Sequence, residues 1–365
     1  MYISFSESER DRSKEGNGRR NKERFEGVLM VSIKDIAQAC GVSTATVSKA
    51  LNNRDDVNPA TRERVQETAK QLGYLPNAMA RALKTNRTYN IGVLMVDKAD
   101  SGLKHFFFAS VLDSFKVAME RSGYDLTFIS SQIGSQTFSY YEHCMYRNVD
   151  GVFAACVDFA SPGVQSLLNS SLPAVSIDYV EQGKYAVASD NAKGIELAAE
   201  YAIGRGHKRF AFIYGEPSQV TSARKQAFVD TLAKHYLEAD PNLILEGKYI
   251  HAELAYKLTQ QILAEPDRPT CIFYPDDICA VAGMTAIRDA GMTPGKEISV
   301  IGYDGHPMLR MVGPLLTTVQ QDTESIGIRA AEIMLRLLQK TEIPMEERVA
   351  HVGVKLLEGE TVAQL

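Results

Sequence analysis

The sequence predicts an α/β protein in two parts, a small all-helical head followed by a body built on a parallel α/β sheet or two such sheets in series. Three observations carry that expectation. Between Ser32 and Lys84 apolar residues recur at helical spacing, punctuated by capping residues, Gly41 and Pro59. After Thr88 the rhythm changes to short apolar runs alternating with helical patterns, as parallel sheets covered by helices require. Charge divides at the same place: residues 31–88 carry a net +4 in a chain of net −5, and residues 89–365 carry −10. A basic head on an acidic body permits nucleic-acid binding by the head alone.

Taken in order, residues 1–30 are charged and without periodicity, and a disordered extension is expected there. Ser32 can cap a first helix with Ile33, Ile36, Ala37 and Cys40 on one face; Gly41 ends it because glycine tolerates positive φ. Ser43 can cap a second helix over 44–51, with Val47, Ala50 and Leu51 inward. NNRDDVNP interrupts it, and Pro59 opens a third helix over 60–72. GYLPN stops that helix, and NAMARALK carries a short helical run to Lys84. In the body, strands are expected at NIGVLMV, YDLTFIS, DGVFAAC, PAVSID, RFAFIYG, PTCIFYP, EISVIGYD and LTTVQQ. Helices are expected to start near Phe107, Asn191, Thr221, His251, Asp277 and Thr323. That many strands over about 275 residues suit two lobes better than one.

Bulk composition narrows the function. With 45% hydrophobic and 23% charged residues the 365-residue chain reads as globular, and no apolar run approaches the ~18 residues of a membrane span. The first thirty residues hold no apolar core of a secretory leader. Five cysteines, odd in number and without a C-x-x-C pair, argue for reduced thiols in a cytoplasmic protein rather than a disulfide or zinc framework. Neither a metal nor a cofactor is expected. No P-loop, H-E-x-x-H, G-x-S-x-G or G-x-G-x-x-G occurs, so an enzyme is not expected either. Strand-end carboxylates superficially suggest a glycosidase pair, the remote alternative, but binding without turnover explains them as well.

DIAQACGVSTATVSKAL fits a helix-turn-helix. Ala37 is small where the helices touch, Gly41 makes the turn and Val47 packs back, which leaves Thr44, Ala45, Ser48 and Lys49 outward. Lys49 can donate to guanine acceptors, Thr44 to a base or phosphate, and the Ala45 methyl can touch a thymine methyl. A plain helical hairpin explains the apolar spacing equally well. The longer stretch VSIKDIAQACGVSTATVSKALNNRDDVNPATRERVQETAKQLGYLPNAMARALKT, however, resembles the DNA-binding head of the LacI/GalR family of bacterial transcriptional regulators from end to end. The resemblance implies that Thr44, Ala45 and Lys49 read bases, and that Ser32, Asn52, Arg62 and Arg81 contact phosphates. It also implies a hinge helix beginning at Asn77 that forms on DNA, with Leu83 wedged into the minor groove at a cost of a few kcal/mol recovered in contacts.

The resemblance continues through IGVLMVD, SDNAKGIELAAEYAIGRGHKRFAFI, YPDDICAVAGMTAIRDAGM, ISVIGYDG and GPLLTTVQQD. It implies a body similar to periplasmic sugar-binding proteins, two doubly wound α/β lobes joined by three crossing strands. The implied division is a head over 31–76, hinge and linker over 77–88, a first lobe over 89–190 plus 319–343, and a second over 191–318 plus 344–365. A small-molecule effector would sit where strand C-termini of both lobes face each other. Arg224 and Asp304 match the family's effector clasp; Asp178 and Asp276 close strands, Phe107 and Phe108 match positions lining the pocket, and Tyr179 and Tyr249 join them. Where the family has Asn-Asp the chain reads Asp276-Asp277, which favours a polyhydroxyl or cationic effector over an anionic one. No second Arg flanks Arg224 in EPSQVTSAR, so a sugar is expected over a purine or other metabolite; response to a protein partner is a further alternative. The expected partners are thus a pseudo-palindromic double-stranded DNA operator, a sugar, and a second copy of the chain. A homodimer is favoured over a tetramer because VAHVGVKLLEGETVAQL carries no leucine heptads.

Overall fold

The computed structural model of the chain describes residues 31–75, 87–96, 102–308, 311 and 313–365, which fall into two compact units divided after Arg81. The extension over 1–30 and the hinge positions Asn77, Arg81 and Leu83 lie outside the described residues.

The head is built from α1 (Ile33–Cys40), α2 (Thr44–Leu51) and α3 (Pro59–Gln71). Ser32 and Asp35 form a reciprocal capping box at the start of α1, which satisfies two of the helix's orphan N–H donors. Gly41 ends it at φ 64, in the left-handed region where a side chain would be strained. Asn58 accepts from the Ala60 N–H, and Pro59 begins α3, as its locked φ and missing donor suit. Ile36, Ala37, Cys40, Val47, Ala50, Val57, Val65 and Ala69 interlock as one small core. Ile36, Val47 and Val65 are fully occluded, each contributing about 1.5–3 kcal/mol by burial, and a core this size has little stability to lose.

In the body the chain first forms β1 (Asn90–Leu94), α4 (Phe106–Arg121), β2 (Asp125–Ile129), a hairpin of β3 (Gln132–Ile133) and β4 (Gln136–Thr137), α5 (Tyr140–Arg147), β5 (Gly151–Ala154), α6 (Pro162–Leu168), β6 (Ala174–Ile177) and β7 (Tyr185–Ser189). It then crosses to α7 (Asn191–Gly204), β8 (Phe210–Tyr214), α8 (Gln219–Lys234), β9 (Ile244–Glu246), α9 (Ala252–Ala264), β10 (Cys271–Phe273), α10 (Asp277–Asp289), β11 (Ser299–Asp304) and β12 (Thr317–Gln321). It returns through α11 (Thr323–Leu338) and β13 (Val349–Val352), and ends with β14 (Val354–Leu357) in the second lobe. The first sheet runs β13-β7-β6-β5-β1-β2 and is parallel throughout; the second runs β14-β12-β11-β10-β8-β9, with β14 antiparallel to β12. In each the order reverses beside the lobe's first strand, β1 or β8, which opens a crevice at the strand C-termini.

The crossings fall elsewhere than the sequence division put them. β12 extends to Gln321 inside the second sheet, and 349–352 pairs with β7 in the first. The reason is that VAHV and VKLL are two strands of different sheets, joined through Gly353 rather than a continuous second-lobe tail. On the first lobe α11 presses against α4 at Gly327, where a Cβ would come within 2.5 Å of the Val111 carbonyl.

Candidate functional site

On the head, α2 presents Thr44, Ala45, Lys49 and, past its end, Asn52 to solvent, with Ser48 half-buried. The Lys49 ammonium is already paired with Asp56 in the loop after α2, and that carboxylate is held below its usual range, chiefly by this hydrogen bond. Asp56 would therefore compete with any base or phosphate that approaches Lys49. The Ser32 hydroxyl and N–H are both engaged with Asp35, so this residue acts first as a helix cap. Asn52 donates to the Ser48 carbonyl at 2.6 Å. Arg62 donates to the Arg54 and Val57 carbonyls at 2.6 and 3.4 Å and so ties down the loop between α2 and α3.

In the body, three side chains named from sequence converge between the lobes. Arg224, on the first turns of α8 and 5% exposed, donates from Nε to Asn191 Oδ1 at 2.8 Å and from Nη1 to the Pro275 carbonyl at 3.0 Å. Its guanidinium lies 3.4 Å from the centroid of the buried Tyr303 ring, a cation–π contact that fixes its plane, and 6.0 Å from Tyr249. Asp178, at the end of β6, and Asp304, at the end of β11, both adopt positive φ (58° and 102°), which turns the chain sharply as it leaves each strand. Asp178 accepts from the Ser189 N–H at 3.2 Å, and Asp304 accepts from Gln321 Nε2 at 2.7 Å. Burial lifts the Asp178 carboxyl to about 6; Arg224 opposes that shift and Asp304 adds to it. Tyr249 joins the group, its hydroxyl 2.9 Å from Thr221 Oγ1.

Other expected site residues are used elsewhere. Phe107 is 3% exposed and belongs to the first-lobe core with Val111, Phe115 and Met119, one face of α4 at i, i+4, i+8 and i+12. Phe106, a 100° step round the helix, instead stacks on His306 of the second lobe with centroids 4.2 Å apart. Phe108 packs edge-on against His105 at 4.7 Å. Tyr179 stacks flat on Phe159 (4.3 Å, 2°) and is hydrogen-bonded to Gln165, so its ring faces α6 within the first lobe. Asp276 is the N-cap of α10: one oxygen accepts from Cys279 N at 2.8 Å and the other from Ile250 N at 2.7 Å, so both oxygens are engaged within the chain. Its neighbour Asp277, 1% exposed, accepts from His306 N and the Thr318 hydroxyl; burial holds its carboxyl well above the usual range.

Sequence reasoning did not single out Asn191, Tyr303, Ser189, Gln321 or Gln219. The first four flank named residues or lobe crossings, and a rule that crossing residues sit beside the cleft would have found them. Gln219, the first residue of α8, reaches across to the first lobe: its amide nitrogen donates to the Val180 carbonyl at 3.0 Å, and its oxygen accepts from the Val180 N–H at 2.8 Å. A cavity of about 300 Å³ lies elsewhere, lined by Leu168, Pro173, Tyr179, Lys184, Tyr185 and Leu337; it shares only Tyr179 with the expected set. Among the described residues no group of His, Cys, Asp and Glu is placed to hold a metal ion, and no helix is long and apolar enough to cross a membrane.

A three-helix head with an outward α2, joined to a two-lobed body with a polar set between its strand ends, defines a DNA-binding transcriptional regulator rather than an enzyme. Residues 32–77 match the model of bacterial regulatory proteins of the lacI family, and residues 199–362 match a periplasmic binding protein-like domain. The chain is 31% identical over 342 residues to the HTH-type transcriptional repressor PurR of Vibrio cholerae serotype O1 (strain M66-2), covering 92% of this chain and 99% of that protein. To the PurR repressor of Pasteurella multocida (strain Pm70) it is 30% identical, over 86% and 94%. Its fold is that of the lac repressor dimer bound to operator and the anti-inducer ONPF (TM-score 0.77, 24% identity, 92% and 99% coverage). It is likewise that of the transcriptional regulator CelR–cellobiose complex (TM-score 0.66, 24% identity, 91% and 99% coverage). The chain belongs to the lacI family and is a DNA-binding transcriptional repressor of that family.

Proposed function

We propose that this repressor's operator affinity is set by a small carbohydrate held between the two lobes by Arg224, Asp178, Asp304 and Tyr249. The observation that carries this reading is the meeting of Asp178 from the first lobe with Arg224 and Asp304 from the second at the strand C-termini. Carboxylates suit vicinal hydroxyls, a guanidinium suits ring and hydroxyl oxygens, and the Phe106 and Tyr249 rings suit the apolar face of a pyranose. In this proposal two copies pair through their bodies and set two heads on a pseudo-palindromic operator. Thr44, Ala45, Ser48 and Lys49 then face bases, while Ser32, Asn52, Arg62 and Arg81 face phosphates. Residues from Asn77 order as a helix on DNA, with Leu83 inserted in the minor groove. An effector that prefers one lobe arrangement shifts operator affinity, and the operator shifts effector affinity by the same factor.

A purine is the second reading, since the relatives above are repressors named PurR and the same rings suit a flat base. A thermal-shift panel of sugars and nucleobases decides between them, because a ligand of the native state raises the melting point by mass action. Stabilisation by sugars that vanishes in Arg224→Ala supports the proposal; stabilisation by nucleobases alone overturns it.

A further inference from the structure

The polar atoms around Asp178 and Asp304 are unbalanced. Arg224, the one cation of this wall among the described residues, spends two of its five N–H donors on Asn191 and Pro275 and lies on the Tyr303 ring, and the Asn191 amide donates to the Ser189 carbonyl at 3.2 Å. Acceptors are left over. Asp178 and Asp304 each have one oxygen hydrogen-bonded within the chain, which leaves each a second carboxylate oxygen. Beside them are two side-chain oxygens with no hydrogen-bond partner, the acceptor-only Gln321 Oε1 and the Ser189 hydroxyl, which can accept or donate, on residues only 5% and 3% exposed. Gln321 is oriented by its amide nitrogen donating to Asp304, so its carbonyl oxygen lies next to that carboxylate and cannot flip without opposing two acceptors.

A buried acceptor without a donor is costly, and a buried carboxylate without a cation costlier still. Neutral sugar hydroxyls can donate to these oxygens, but they leave the excess negative charge uncompensated. A protonated amine brings donors and no acceptor. The aspartates near the guanidinium outnumber it: Asp178 and Asp304 both act on one Arg224.

We propose that the effector is a cationic polyhydroxyl compound, an amino sugar, whose ammonium group sits between Asp178 and Asp304 and donates to Gln321 Oε1 or Ser189 Oγ. The proposal rests on the carbohydrate reading above and narrows it to a charged subclass. It does not depend on the additional carboxylate of the Asp276-Asp277 pair, because Asp276 is consumed as a helix cap.

The test measures binding of D-glucosamine, D-galactosamine and D-mannosamine to the full chain. The controls are the parent hexoses, the N-acetyl forms, adenine and hypoxanthine, read by melting shift and calorimetry. At least one amino sugar is expected to bind about tenfold or more tightly than its parent and its N-acetyl form. Asp178→Asn and Asp304→Asn are expected to erase that preference, and circular dichroism and the melting point of the unliganded variants separate lost charge from a misfolded cleft. Parent hexoses binding as tightly as the amines overturn the charge assignment and keep the carbohydrate reading. Nucleobases binding where no sugar does overturn both, and no binding by any amino sugar overturns the inference.

Discussion

Asp178→Asn changes the charge of one cleft carboxyl while keeping its shape, and its consequence can be worked through as a function of pH. The group titrates at 3.8 when exposed and at about 6 in the folded protein. A folded-state pKa above the unfolded one means that the native state holds the proton more tightly. The stability this supplies is full below about pH 4 and is lost as pH rises through about 6. Two units correspond to about 2.7 kcal/mol, and because Asp178 is only partly buried, solvent screening brings the expected figure to about 1–2 kcal/mol. The Asn carbonyl can keep the hydrogen bond from the Ser189 N–H and does not titrate. The stability of the variant minus that of the wild type should therefore grow by about 1–2 kcal/mol between about pH 4.5 and 7.5. Asp276, also lifted to about 6 by burial, contributes the same slope to both proteins and cancels. Urea unfolding followed by circular dichroism across that range, at constant ionic strength, measures the difference. A difference that stays flat or shrinks with rising pH refutes the placement of Asp178 in a desolvated, carboxylate-facing site.

Gln219→Ala removes both hydrogen bonds to Val180, each worth about 0.5–1.5 kcal/mol, and should let the lobes separate. Small-angle scattering would then show a larger radius of gyration, and an unchanged radius would count against the clasp. Val47→Ala hollows the small head core by about 1–3 kcal/mol and should abolish operator binding while the main melting transition of the body stays put. Asp56→Ala frees Lys49, so operator binding should tighten several-fold at low salt; unchanged binding would remove Lys49 from the interface. His207, buried against Thr270, Ser299 and the Ala363 carbonyl, is held below its usual pKa by burial. A base with a depressed folded pKa supplies stability above about 6.5 that is lost as pH falls, so His207→Gln should show a shallower acid loss than wild type in melts from about pH 7 to 5.

Much of the architecture was legible in the sequence because it rests on local signals. Ser32, Gly41, Ser43 and Pro59 punctuate the head where helix termini need caps, left-handed φ or a missing donor. In the body, fully buried parallel strands read as continuous apolar runs. The third crossing was not legible, because Val349–Leu357 gives one alternating pattern for two strands that pair with different sheets. The cleft was half legible. Strand-end aspartates are visible as letters, but whether they face a ligand or a helix N-terminus depends on tertiary donors. Ile250 N–H and Cys279 N–H claimed Asp276, whereas Asp178 and Asp304 kept an oxygen each. Helical phase decided among the phenylalanines, and one position of rotation exchanged Phe107 for Phe106 at the lobe boundary.

The two aspartates are tied to residues at which the chain changes lobes. Ser189, which holds Asp178, is the last residue before the first crossing, and Gln321, which holds Asp304, is the last before the second. Under the proposed function, a ligand that tugs on either carboxylate would pull on the pivot itself, through one hydrogen bond. Communication from cleft to lobe rotation then requires no relay of packed side chains. Because Ser189 donates through its backbone N–H, only substitution of Gln321 cuts such a bond, and it should detune the proposed response without weakening the grip of Arg224, Asp178 and Tyr249. That outcome would distinguish a short lever from a long wire.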